Sequence, residues 1–163
     1  MATGIFGIGR KIPMNRVNDL GQREGYWRDS VGGGFVYDLY YKGGKKDGLY
    51  KRFYRNKLFL FGEYTADNIS GTWYMFGDEG ELRCTIDSIE LNKDSIYTGY
   101  CRIFCKYKCH SIDYYPSGAV KSEGYMVCDE EFEIEIWEIG EWKYYDESGN
   151  LIKTKDYGDR RTP

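Results

Sequence analysis

The sequence predicts an all-β fold: consecutive antiparallel β-hairpins of about 23 residues each, joined into an elongated twisted sheet. Three observations carry this. Glycine (21) and the aromatic residues (17 Tyr, 8 Phe, 4 Trp) are abundant and proline (3) is scarce, a mixture that suits strands and tight turns over helices. A unit Gly-x-[Trp/Tyr]-x-x-[Phe/Tyr] recurs. Behind each good copy comes a short glycine-bearing turn and a returning strand, the pattern of a β-hairpin.

In chain order, residues 1–17 read as a lead-in, and a partial copy opens at Gly25-Tyr26-Trp27. Full copies follow at Gly48 (with Tyr50 and Phe53), Gly71 (with Trp73 and Phe76) and Gly140 (with Trp142 and Tyr145). The glycines at 25, 48 and 71 are 23 apart, and Gly140 stands 69 further on, which is three such periods. Turns are expected at Phe76–Leu82, at Tyr114–Val120 around Gly118, and at Tyr144–Leu151 around Gly149. The section 87–108 departs from the pattern, the repeat domain as a whole spans 18–157, and 158–163 is a tail. One hairpin is marginal in water, so neighbouring units must pair edge to edge to bury their rings.

The fullest copy, Gly140 to Tyr157, together with the opening Asn18 to Trp27 and the link Lys45-Lys46-Asp47-Gly48, resembles bacterial MORN-type repeats, in particular the variant of YwqK-like antitoxin or immunity proteins. The resemblance implies a hairpin-repeat fold and a protein-binding habit, with neutralisation of a toxin as one assigned role.

The chain of 163 residues fits one domain. Its formal charge of −3 removes the general attraction on which sequence-independent nucleic-acid binding depends. No apolar run approaches the length that spans a bilayer, and Met1 to Ile12, broken every two or three positions by Gly, Arg or Lys, is not expected to be an anchor or secretion segment. Five cysteines without framework spacing point to reduced thiols and a cytoplasmic location.

Cys101, Cys105 and Cys109, followed by His110, invite a metal reading. On an extended strand the three thiols share one face with Ile103 and Tyr107, while His110 takes the other. Cys101 and Cys109 would then lie roughly 26 Å apart, too far to share an ion. Buried small thiols are the plainer reading, a Cys/His nucleophilic pair is not expected, and neither a metal nor a cofactor is. Gly32-Gly33-Gly34, like Gly4, Gly7 and Gly9, lacks the strand-to-helix setting of a phosphate loop and reads as turn or lead-in.

Charge is unevenly spread. Seven acids and no base fall between Asp129 and Glu141, whereas Lys42 to Lys57 holds seven bases against Asp47. In the acidic run Phe132, Ile134 and Ile136 alternate with Glu133 and Glu135, predicting an apolar face inward and a carboxylate face outward, with a bulge at Trp137. The plainer reading is two solvated faces. The functional reading is an acidic strip, Asp129, Glu130, Glu131, Glu133, Glu135 and Glu138, that docks a basic protein partner such as a toxin. The function expected is therefore a non-enzymatic protein-binding repeat module of antitoxin or immunity type. The alternatives are a structural component of a multi-chain complex, such as a phage or surface particle, and more distantly a membrane-surface adaptor using the basic stretch. No nucleophile, base and oxyanion donor stand at spacing that would indicate an enzyme.

Overall fold

The computed structural model describes residues 13–93, 105–129, 132 and 136–158, and all their regular structure is β. Eleven strands follow one another: β1 Arg16–Val17, β2 Arg23–Gly32, β3 Phe35–Lys42, β4 Lys45–Tyr54, β5 Lys57–Thr65, β6 Asn68–Phe76, β7 Leu82–Leu91, β8 Tyr107–Tyr114, β9 Val120–Cys128, β10 Ile136–Tyr145 and β11 Leu151–Asp156. Each pairs antiparallel with its neighbours in sequence, giving a single open sheet whose strand order is the chain order. At the usual strand spacing its width is about 48 Å. Pairing begins inside the segment expected as lead-in: Arg16 lies opposite Glu24 and Met14 bridges to Tyr26.

The expected turns form, and three of them are the same turn. Gly80, Gly118 and Gly149 have φ of 85°, 87° and 84°. Each donates its N–H to the carbonyl three residues earlier (Gly77, Tyr115, Asp146), and that residue's own N–H donates to Glu81, Ala119 or Asn150. Glycine supplies the left-handed conformation that a side chain would resist. The two-residue turns at Gly43-Gly44, Arg55-Asn56 and Ala66-Asp67 have positive φ at both positions, the arrangement that matches strand twist.

The repeat shows in the register. Three residues past the anchor glycine, pairing is regular: Lys51 with Asp38, Tyr74 with Phe61, Lys143 with Glu123. Before the glycine the ladder has slipped, with Ser70 opposite Glu63 and Ile139 opposite Tyr125, so the motif strand holds two extra residues. Gly48, Gly71 and Gly140 occupy these bulges with φ of 124°, 66° and 60°. At the far end of each motif the second aromatic position meets the returning strand in one way: Phe53 opposite Leu58, Phe76 opposite Leu82, Tyr145 opposite Leu151.

Tyr114 opposite Val120 is a fourth instance. It marks β8–β9 as a unit whose anchor and ring positions have become Cys109 and Ser111. The bulge also moves. With no glycine at 109, the irregularity between β7 and β8 falls at Asp87–Glu90, where Ser88 takes φ of 51°. Two strand pairs, β6–β7 and β8–β9, therefore separate Gly71 from the β10 anchor. This corrects the expectation of three periods in that interval: β7 pairs directly with β8, and the agreement of 69 with three times 23 is coincidental.

One face of the sheet holds the main core, in which Leu39, Tyr50, Leu60, Tyr64, Trp73, Ile86, Cys109, Met126 and Trp142 are buried. Trp73 lies flat on Gly62 and Trp142 on Gly124, so closely that a Cβ on either glycine would come within 2.1 Å or 2.5 Å of the indole. Tyr50 has Leu39 at the position corresponding to these glycines and tilts against Tyr37 and Trp73 instead. A smaller cluster on the opposite face joins Cys105, Val127 and Ile139, with Trp137 against it.

Four further expectations are corrected. Cys105 and Cys109 are both buried but in different clusters, because strict alternation begins only at Tyr107, where β8 starts; Cys101 and Ile103 lie outside the described residues. Phe132 is buried against Trp73 at 5.2 Å between centroids, yet Ile136 is 42 % exposed. Trp137 stays in register with Val127, and the bulge falls at Gly140, where glycine makes it inexpensive. The seven bases do not form one patch: Lys42 and Lys45 flank one turn, Arg55 and Lys57 lie at the other end of β4 and β5, and Arg52 is buried beneath the rings of Phe35, Tyr37 and Phe59.

Candidate functional site

Ring positions run across the core face in strand order as Trp27, Tyr50, Trp73, Ser111 and Trp142. The fourth is the exception. Register places Ile86 beside Ser111 and Gly124 on its far side, and one row along, Cys84 pairs with Asp113 and Asp113 with Ser122. Small side chains on three successive strands leave a trough of about 570 Å³. Phe59, Met75 and Phe76 wall it on the β5–β6 side, Trp142 and Tyr144 on the β10 side.

The floor is polar. Ser122 donates its hydroxyl to Asp113 Oδ2 at 2.8 Å, and Cys84 Sγ lies 3.2 Å from Ser111 Oγ. Glu138, opposite Met126 in the ladder, adds a second carboxylate to the lining. Tyr144 shares its hydroxyl with Tyr157 at 2.7 Å. Its pKa is pushed up, first by burial, then by that bond and the negative field of Tyr157, Glu138 and Asp113. Both carboxylates line the same trough. Mostly apolar walls with a few convergent polar groups are the usual composition of a binding pocket.

The buried thiols near the trough are held protonated. Burial pushes the Cys84 thiol up to about 12, only partly opposed by Ser111 and reinforced by Asp113, so it stays protonated and weakly nucleophilic at neutral pH. The Cys128 thiol is also pushed up, by its bond to Cys109 at 3.5 Å and by burial. His110 projects from the opposite face, 3.4 Å from Asp87 Oδ1 and against the Tyr125 ring. It does not meet Cys109. Among the described residues no three His, Cys, Asp or Glu side chains converge as a metal site would need, and no helix is long and apolar enough to cross a membrane.

Of the acidic strip, Glu130, Glu131, Glu133 and Glu135 lie outside the described residues. Asp129 is half-buried at the end of β9. Glu138 turns into the trough. Strand parity around Trp137 puts it on the core face, and the sequence carried no sign of its company there, because Asp113, Ser111 and Ser122 come from strands that only the register aligns. A second hollow of about 320 Å³ is lined by Tyr37, Tyr41, Tyr50 and Tyr64 with Asp29 and Lys46. It supplies its own cation, Lys46 Nζ standing 4.7 Å over Tyr64.

Comparison with family models, with curated proteins and with solved structures returned no match for the chain.

Proposed function

We propose that this chain is a non-enzymatic protein-binding module that holds one protein partner on the core face of its sheet, with the trough as the central anchor point. The observation that supports this is the missing ring at Ser111: in a row of aromatic positions, one is vacated and the space is bounded by aromatic walls. Neutralisation of a toxin, as in immunity proteins, is the role we assign within that class. The resemblance of the repeats supports it, as does acidity around Glu138, which suits a cationic active-site surface. The same reading assigns a cytoplasmic address, supported by a thiol-rich, disulfide-poor core.

The test refills the vacancy. Ser111→Tyr should restore the pattern of Tyr50 over Leu39, with Ile86 as its neighbour, and keep the protein folded while occupying the trough. Partner captured by the wild-type protein and by an opposite-face control, Lys143→Glu, should be lost with Ser111→Tyr and with Glu138→Arg. Undiminished capture by both folded trough variants overturns the proposal. For the immunity role, co-expression with the captured partner should restore growth of cells that the partner alone arrests.

Assembly through a sheet edge is a second reading with one observation behind it. β11 is exposed along all six residues, with Leu151 56 % and Ile152 62 % accessible. Lys153 and Lys155 blunt that edge as natural sheets commonly do. Molar mass by light scattering that rises with concentration would favour assembly; a constant monomer mass would count against it.

A further inference from the structure

Resting on the protein-binding reading, we infer that what enters the trough is a lysine or arginine side chain of the partner, its stem between the walls and its charge at Asp113 and Glu138. Neither carboxylate is ion-paired within the described residues. Asp113 has one oxygen bonded to Ser122, and Glu138 reaches the same region from β10. A carboxylate pair left without a cation beside apolar walls is complementary to an alkyl chain ending in a positive charge. The opposite choice, a phosphate or carboxylate ligand, would meet two like charges on the trough floor and wall.

Two cations stand at the rim, Arg83 and Lys121. Both are exposed and also line a separate hollow with Asp78, Glu79 and Glu81 at the β6–β7 turn, and neither is ion-paired to Asp113 or Glu138. The apolar part of the site is matched to the stem. Met75, Met126 and Trp142 offer flexible and flat surfaces along which methylenes can lie, and the volume admits one long side chain together with the backbone that presents it.

The experiment is an amide and indole NMR titration of the full-length, isotope-labelled protein with Nα-acetyl-lysine-N-methylamide, run against the neutral norleucine analogue, which has the same carbon chain without the ammonium. The lysine probe should shift the Trp142 indole N–H, which donates to the Tyr125 carbonyl at 2.7 Å, along with the Glu138 and Tyr144 amides, saturably and more weakly at high salt. Norleucine should bind at least about tenfold more weakly, as loss of a charged hydrogen bond implies. Asp113→Asn combined with Glu138→Gln should cost the lysine probe a similar factor. If the double variant disturbs folding through the lost Ser122 bond, Glu138→Gln alone, which breaks no hydrogen bond within the described residues, should still weaken lysine several-fold. Equal response to lysine and norleucine, no lysine response, or lysine binding indifferent to the variants overturns the inference. The wider reading fails on a different readout, partner capture that ignores Ser111→Tyr and Glu138→Arg, so the two failures are told apart.

Discussion

Replacing Gly62 with alanine should be among the more damaging single-methyl additions the molecule can receive. The backbone at Gly62 is not left-handed, so alanine meets no conformational penalty there. The obstacle is Trp73, whose Cδ2, Cε2 and Cε3 would lie 2.1, 2.4 and 2.5 Å from the new Cβ. Restoring ordinary contact requires the indole to lift by more than about 1 Å. It has nowhere to go: it is fully buried, with Tyr50, Tyr64 and Phe132 at 5.5, 5.3 and 5.2 Å between centroids. Overpacking of this kind costs about 1–3 kcal/mol. Levering an indole half out of a burial of about 200 Å², at about 25 cal/mol per Å², gives about 2.5 kcal/mol by a separate route. Alanine in place of strand glycine returns about 0.5–1 kcal/mol. The net expectation is a loss of about 2 kcal/mol, read as a shifted urea midpoint by tryptophan fluorescence, or as a fall of about 4–8 °C in thermal midpoint. In a Trp73→Ala background, itself costing about 3–5 kcal/mol, Gly62→Ala should be neutral or mildly stabilising. A cost below about 0.5 kcal/mol, or an equal cost in both backgrounds, would refute the stacked-indole account of the repeat.

Other outcomes follow from the same geometry. A methyl added at Gly71 would meet only Glu63 Oε2, in ordinary contact at 3.9 Å, and one at Gly140 would meet nothing, but their φ are 66° and 60°, so Gly71→Ala and Gly140→Ala should each cost about 1 kcal/mol from conformation alone, with asparagine recovering part of it in the same melt. Tyr144 and Tyr145 have raised pKa values, Tyr144 chiefly from burial and Tyr145 from its bond to Glu123; their contribution is complete below the ordinary tyrosine value near 10 and is lost as pH climbs through the folded values. Urea midpoints should therefore fall above about pH 10, and Tyr144→Phe should flatten that fall. Cys84, Cys105, Cys109 and Cys128 are all buried and should react with a thiol reagent at the rate of unfolding; a fast phase from any of the four, identified by peptide mapping, would contradict their placement. Asp146, lowered by its bonds to Asn150, should on replacement by alanine speed amide exchange in β11 while leaving β4–β6 unchanged.

Much of the fold was legible because local chemistry wrote it. Gly80, Gly118 and Gly149 announced their turns, and the anchor glycines marked bulges that do recur. What could not be read were features made by register. Gly62 and Gly124 carry no motif of their own and matter only because an indole from the next strand lies on them. Ser111 looked like an unremarkable residue in a diverged stretch; only the pairing of Tyr114 with Val120 shows that it occupies a ring position. The acidic run misled for a related reason: composition placed Glu138 with the outward carboxylates, whereas strand parity past Trp137 turned it inward. The arithmetic of 69 residues failed because a period measured along the chain need not count strands once connections lengthen.

Among the described residues every strand has only its sequence neighbours for partners, which bears on how the molecule would yield to force. Pulled from its termini, such a ladder comes apart one rung at a time from its free borders, since no single rupture releases the rest. A tether on β11 should give a train of small, evenly spaced extensions in a force trace, and the chain should wind back quickly on relaxation, because each rung needs only the one before it.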